Sequence, residues 1–151
     1  MKKLVLAVAV AALGAMLAVS IGLGATKSQG TFKLTAKLNA KQEVPRPKGV
    51  PAGATGTFTG KLVGSKLTWK LTYSGLSGPA FAAHIHLGKP GKAGNVIVPL
   101  CPPGCRSGKS GTTTVKKDVR DAIEHGLTYV NVHTAKNKAG EIRGQVKATE
   151  T

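Results

Sequence analysis

Lys66-Leu67-Thr68-Trp69-Lys70-Leu71-Thr72-Tyr73 decides the fold. Leu67, Trp69, Leu71 and Tyr73 take every second position, and threonine or lysine takes the others. Successive side chains of a strand point to opposite faces, so this stretch is predicted as a half-buried strand with Trp69 in the core. Upstream, Gly56–Val63 meets it at Gly64-Ser65. Glycine at the first central position of a two-residue loop suits a type II′ hairpin turn. Thr31–Leu38 alternates in the same way, with Phe32, Leu34, Ala36 and Leu38 on one face, and the Pro- and Gly-rich stretch 45–53 is a loop. Downstream, strands are predicted around His84 and His86, over 95–100, 111–115 and 127–133, and over 140–147. In the last, Ile142, Gly144 and Val146 point inward while Glu141, Arg143 and Gln145 point outward. One helix is predicted over 118–125, with Asp118 as N-cap, Asp121 in the first turn, Val119, Ala122 and Ile123 as apolar stripe, and Gly126 as the stop. About eight short alternating strands with one short helix predict an all-β fold, an antiparallel Greek-key β-sandwich or flattened barrel.

At 151 residues the chain holds one such domain, assigned to 31–148. Residues 1–25 read as an export signal, with Met1-Lys2-Lys3 as basic start and Leu4–Ala25 as apolar core. Retention as an N-terminal membrane anchor is the competing reading, and 26–30 is a polar spacer. No cysteine follows the apolar core, so lipoprotein processing is not indicated; either way the domain is expected outside the cytoplasm. The chain has 22 Lys+Arg against 6 Asp+Glu, a net charge of +16. Such a balance invites a nucleic-acid reading. The export segment and the spread of Lys61, Lys66, Lys70 and Lys147 over solvent-facing strand positions argue against it. A solvated basic surface is the plain reading, and attraction to an anionic envelope polymer or lipid surface is the secondary one. The only cysteines, Cys101 and Cys105, flank Pro102-Pro103-Gly104. In an exported chain they read as a disulfide that shapes one loop, with a thiolate metal site or redox pair as the alternative.

Three of the four histidines fall in two strand-like stretches, His84-Ile85-His86 and Tyr129-Val130-Asn131-Val132-His133. His84 and His86 share a face, ~6.5–7 Å apart along the strand. From there two imidazoles can converge on one ion, and His133 from a neighbouring strand completes a three-histidine set. Such ligands suit copper first, with zinc as the alternative. Asn131, Glu141 and Arg143 are candidates to orient these ligands, and Glu141 and Arg143 are candidates for an ion pair with each other. Direct ligation by Glu141 is a further option. The competing account is a metal-free hydrogen-bond network, in which case the chain is expected to be a metal-free extracellular interaction module binding a protein or an envelope polymer. His125, the fourth histidine, is explained by the helix C-terminus, with service as a fourth ligand as the alternative. No serine or cysteine sits in an activated setting and no carboxylates are paired, so no catalytic residue is assigned.

Several segments, in order, carry a resemblance. Leu38-Asn39-Ala40-Lys41-Gln42-Glu43-Val44-Pro45, Ala83–Gly88, Val96–Leu100, Tyr129–Thr134 and Gly140–Gln145 together resemble the CHRD domain, a module repeated in the animal protein chordin and found as a single exported domain in bacteria. The resemblance spans about 31–148 and implies an extracellular β-sandwich without implying a reaction. More loosely, the His-x-His strand with a later strand histidine is similar to the copper half of Cu/Zn superoxide dismutase, at His84, His86 and His133. The chain lacks a bridging histidine and a zinc loop, so that likeness extends to architecture and copper ligation, not to dismutase activity.

Overall fold

The 66–73 alternation becomes a strand at the predicted place, within a computed structural model that describes residues 30–151. The export segment expected over 1–25, and most of the spacer, lie outside those residues. Among the described residues no helix is long and apolar enough to cross a membrane.

The elements run β1 (Thr31–Asn39), a 3-10 turn (Ala40–Gln42), β2 (Thr55–Val63), β3 (Lys66–Ser74), β4 (Ala80–Leu87), β5 (Val96–Cys101), β6 (Lys109–Thr114), α1 (Lys117–Glu124), β7 (Thr128–Thr134), β8 (Ile142–Gln145) and β9 (Lys147–Glu150). All strand pairs are antiparallel. They form one sheet in the order β5-β4-β7-β8-β1-β2-β3-β6, with β9 beside β1. Its two edges, β5 and β6, approach across a cleft lined by Ile97, Val98, Thr113 and Val115, so the sheet is a nearly closed barrel. The non-sequential neighbours β1–β8, β4–β7 and β3–β6 are the Greek-key crossovers.

In β1, β2 and β3 the sequence pattern and the burial agree residue by residue. Leu34, Leu38, Phe58, Leu62, Leu67 and Leu71 point inward, each 1 % exposed or less. Burying each contributes ~1.5–3 kcal/mol. Gly64 has φ +53°, and among the described residues no residue other than glycine has positive φ, which fits the type II′ turn between β2 and β3.

Three expectations are corrected. The strand predicted over 140–147 is two strands, because it breaks at Val146, whose N–H turns to the Thr128 carbonyl as the chain passes from β7 to the far end of β1. The N-cap lies two residues earlier than expected, at Lys116, and Asp118 lies inside the first turn of the helix. Buried Arg120 supplements its apolar stripe, donating to the carbonyls of Gly64 and Gly30 and pairing with Glu124. Finally, Glu141 and Arg143, expected outward, are 0 % and 2 % exposed. They form no ion pair with each other; the ion pairs among the described residues are Lys117–Asp121 and Arg120–Glu124. Cys101 and Cys105 form the expected disulfide, Cα–Cα 5.5 Å. Its loop is tied back to β3 by the Tyr73 hydroxyl, which donates to the Cys105 carbonyl at 2.7 Å.

Gly111 packs under the face of Trp69, and a Cβ there would lie 2.7 Å from Trp69 Cζ2. Gly111→Ala is therefore expected to destabilise by about 1–3 kcal/mol, read from urea unfolding followed by Trp69 fluorescence. An unchanged midpoint would show that the ring has room to move.

Candidate metal centre

Every residue of β7 is buried, not alternate ones. Its inward side chains, Val130 and Val132, enter the core. Its other face carries Tyr129, Asn131 and His133. The register sets His86 opposite Tyr129, His84 opposite Asn131 and Ala82 opposite His133 on β4, and Arg143 of β8 opposite Asn131 on the far side. Loops from between β1 and β2, β4 and β5, and β7 and β8 lie over this face.

The three histidines named from the sequence come together. Ring centroids are 4.9 Å apart for His84–His133 and 5.6 Å for both His84–His86 and His86–His133. One ligand nitrogen from each lies within 4.8 Å of the others. Imidazole–metal bonds of ~2.0–2.1 Å place two ligand nitrogens on one ion at most ~4.2 Å apart. Three nitrogens spaced evenly around one ion lie ~3.6 Å apart, so the set closes by up to ~1.2 Å to share it.

Tautomers follow from the partners. His86 Nδ1–H donates to the Gly94 carbonyl at 2.9 Å, and His133 Nδ1–H to the Lys138 carbonyl at 3.0 Å. A carbonyl only accepts, so the lone pair of each ring is on Nε2. Nε2 of His133 accepts from His84 Nδ1 at 3.1 Å. Nε2 of His86 is buried with no hydrogen-bond partner. Fixing Nδ1 on a backbone oxygen while leaving Nε2 free is how metal-binding histidines are oriented. His84 is half-exposed and forms the open side of the cluster, while His86 and His133 are buried behind it.

The other named candidates do not touch the imidazoles by hydrogen bonds. Asn131 donates to the Ala139 carbonyl at 3.3 Å and to Glu43 Oε2 at 3.5 Å. Glu141 accepts from the Ser77 N–H at 2.5 Å, the Ser77 hydroxyl at 2.6 Å, Thr134 and the Asn137 amide at 3.1 Å. It pins the 75–79 loop to the 135–141 loop, and the grouped ligand atoms are those of His84, His86 and His133. Arg143 places its guanidinium carbon 3.4 Å from the centroid of the Tyr129 ring and donates to the Lys89 carbonyl at 3.0 Å. His86 stacks on Tyr129 from the β4 side, centroids 4.9 Å apart, so Arg143 reaches the cluster through Tyr129. His125 lies away from the cluster, its Nδ1–H donating to the Asp121 carbonyl at 2.7 Å.

Sequence reasoning missed Tyr129 and Glu43. Tyr129 was legible as the residue two and four places before Asn131 and His133, on their face of the strand. Glu43 was not: it reaches the site from a loop 88 residues away from Asn131. Gly140, at φ +139°, lies where a Cβ would fall 2.4 Å from the Asn131 amide and 2.5 Å from Glu43 Oε1. Only glycine closes that loop over the pair.

Burial is the main cause of the shifted protonation here. It holds His133 down to about 4 against a carbonyl bond that raises it, with His84 and His86 adding to the fall. Burial lowers His84, helped by His86. It lowers His86 against the Gly94 bond, with Arg143 adding to the fall. Burial pushes Glu43 up to about 7, although Arg143, the Val44 N–H and Asn131 pull it down. For Glu141, burial alone would raise the carboxyl, but the bonds from Ser77, Thr134 and Asn137 together bring it below the ordinary value.

A family model of the CHRD domain matches residues 34–146, well over half of the 151-residue chain. The chain belongs to the CHRD family. No curated protein and no solved structure matches it, so the likeness to the copper half of Cu/Zn superoxide dismutase rests on the histidine arrangement alone. All three histidines and the loops that orient them fall inside the CHRD match or on its strands.

The shifts oppose each other in acid. His133 is protonated near 4 when folded and near 6.5 when unfolded, so folding stability falls as pH drops through that interval. Glu43 takes its proton near 7 when folded and near 4.5 when unfolded, so it adds stability as pH falls from 7 to 4.5. Metal-free Glu43→Gln is expected to lose more thermal stability than wild type between those two pH values. Equal acid slopes in differential scanning calorimetry would show that the Glu43 carboxyl titrates as an exposed one does.

Proposed function

We propose that this CHRD domain binds one transition-metal ion, copper in preference to zinc, through His84, His86 and His133, and that it holds or hands over that ion outside the cytoplasm. The observation that carries the reading is the buried, unpartnered Nε2 of His86 beside two further imidazoles. A buried acceptor without a partner costs about 1–3 kcal/mol, and a metal ion removes that cost. The ligands are three neutral imidazoles with no carboxylate among them, a donor set that suits copper or zinc and not calcium or magnesium. His84 is the entry ligand: its Nδ1–H bond to His133 must break, and its proton move to Nε2, before Nδ1 can ligate. The export segment expected over 1–25 and the Cys101–Cys105 disulfide support an oxidising, extracytoplasmic setting.

A metal-free cluster is favoured by one observation, the His84–His133 hydrogen bond. It leaves His86 unexplained.

Purified protein stripped of metal and titrated with Cu(II), Cu(I) and Zn(II) should take up one ion per chain. At a free-ion concentration of ~100 Kd the ion should stabilise the fold by about 2.7 kcal/mol. His84→Ala, His86→Ala and His133→Ala should each abolish stoichiometric binding. Weak binding that is equal in wild type and His86→Ala would sink the proposal.

The loop beneath His86 gives a second check. A Cβ on Gly94 would lie 1.7 Å from the Leu87 carbonyl oxygen, so Gly94→Ala must displace the carbonyl that orients His86. It is expected to weaken metal binding by roughly 10–100-fold without removing a ligand. Unchanged affinity would mean that the Gly94 contact does not orient the ring.

A further inference from the structure

The half of the barrel away from the histidines presents a different surface. The outward positions of β9, β1, β2, β3 and β6 carry lysine, threonine and serine, apart from Asn39 and Val63 at strand ends. Lys33, Lys37, Lys61, Lys66, Lys70 and Lys147 are all exposed. They lie on four adjacent strands, β9, β1, β2 and β3, spaced ~4.8 Å apart, and so spread over about 14 Å. One of the chain's 6 carboxylates lies on these strands, exposed Glu150 at the end of β9 opposite Phe32, and the ion pairs among the described residues both lie on α1. Lys33 stands directly opposite Lys61 in the β1–β2 register. Like charges in that position destabilise a sheet, so the face carries a repulsion that a polyanion would relieve.

A groove of about 470 Å³ crosses this face, lined by Lys37, Lys147, Thr35, Thr57, Thr59 and Gln42 among others. It offers ammonium groups, hydroxyls and an amide, the partners a charged and hydroxylated chain needs. It has no aromatic platform on which a base would stack. A bilayer would be met by one apolar side chain, Val63; the other exposed large hydrophobics, Phe81, Leu87 and Val96, are on β4 and β5.

We infer that the outer face of β9-β1-β2-β3-β6 docks an acidic polysaccharide, with carboxylates on the lysines and a chain segment in the groove. This surface is independent of the metal centre.

The test uses the purified full chain, with polygalacturonate as the probe. Neutral dextran, phosphatidylglycerol vesicles and duplex DNA are the comparisons. Polygalacturonate should bind where dextran does not, and should weaken by more than about tenfold between about 0.05 and 0.2 M salt. A Lys33→Gln, Lys61→Gln, Lys147→Gln triple variant should lose at least about tenfold at low salt. The triple variant Lys48→Gln, Lys92→Gln, Lys116→Gln removes the same charge elsewhere and should stay within about twofold. His86→Ala should bind the polymer as wild type does. Lys33→Gln alone should melt no lower than wild type, since it removes a repulsion, and this separates lost binding from lost folding. Equal loss in both triple variants would reduce the effect to net charge and overturn the inference. Tighter binding to vesicles or duplex DNA through the same lysines would overturn it too.

Discussion

The constraint on which the site depends is that β7 is buried on both faces. A strand in a barrel usually shows one face to water, and its polar residues are then satisfied by solvent. Here loops cover the outer face, so each side-chain donor on it must find a protein acceptor. They find backbone carbonyls: His86 at Gly94, His133 at Lys138, Asn131 at Ala139, Arg143 at Lys89, and Gln145 at Gly88 and Gly126. A carbonyl accepts from N–H and O–H groups and donates to nothing. The covering loops therefore settle the donors and leave lone pairs over, at His86 Nε2, Asn131 Oδ1, Glu43 Oε1 and Gln145 Oε1. What such a surplus calls for is a proton or a cation. Glu43 answers it with a raised affinity for a proton, and the imidazoles, which burial keeps neutral, keep their lone pairs available for a metal.

This explains why the site is built from histidines on adjacent strands and not from a loop cluster. The β4–β7 register places His84 and His86 beside Asn131 and Tyr129, with His133 one diagonal step away. Strand spacing then fixes the rings within a few ångströms of one convergence point. The loops add orientation, not ligands. Tyr129 serves both purposes: its ring stacks on His86, and its hydroxyl accepts from the Gly94 N–H at 3.1 Å, the residue whose carbonyl orients that same imidazole.

Much of this was legible in the sequence, and the failures have one cause. The alternation of β1, β2 and β3 could be read because solvent lies on one side of each. His84, His86 and His133 could be read because two-residue spacing puts side chains on one face whatever covers it. Glu141 and Arg143 were expected to point outward, and nothing in the half-buried look of a strand with Ile142 and Gly144 inward showed that the outer side is covered. Nothing local announces that loops 88–95 and 135–141 fold over the other face. Those contacts span long sequence separations, as with Arg143 to Lys89 and Asn131 to Glu43, and periodicity carries no information about them. The break at Val146 was hidden for a similar reason: the inward alternation continues through it, while the hydrogen-bonding partner changes.

The two halves of the barrel thus divide the chain's polar groups by one rule. Where loops cover the sheet, polar side chains are turned upon carbonyls, and the buried guanidinium of Arg143 is set against the Tyr129 ring and near Glu43. Where no loop covers it, lysines extend into water at outward positions, at a cost in mutual repulsion that solvent and salt reduce. Placing a lysine on the covered half would bury an ammonium among carbonyls and imidazoles already committed to other partners. Covering the lysine half would strip water from six ammonium groups with one carboxylate, Glu150, on the same strands. The folding cost of burying charge therefore keeps the strand lysines on the uncovered half, while the lysines of the covering loops, Lys89, Lys92, Lys136 and Lys138, stay exposed to water.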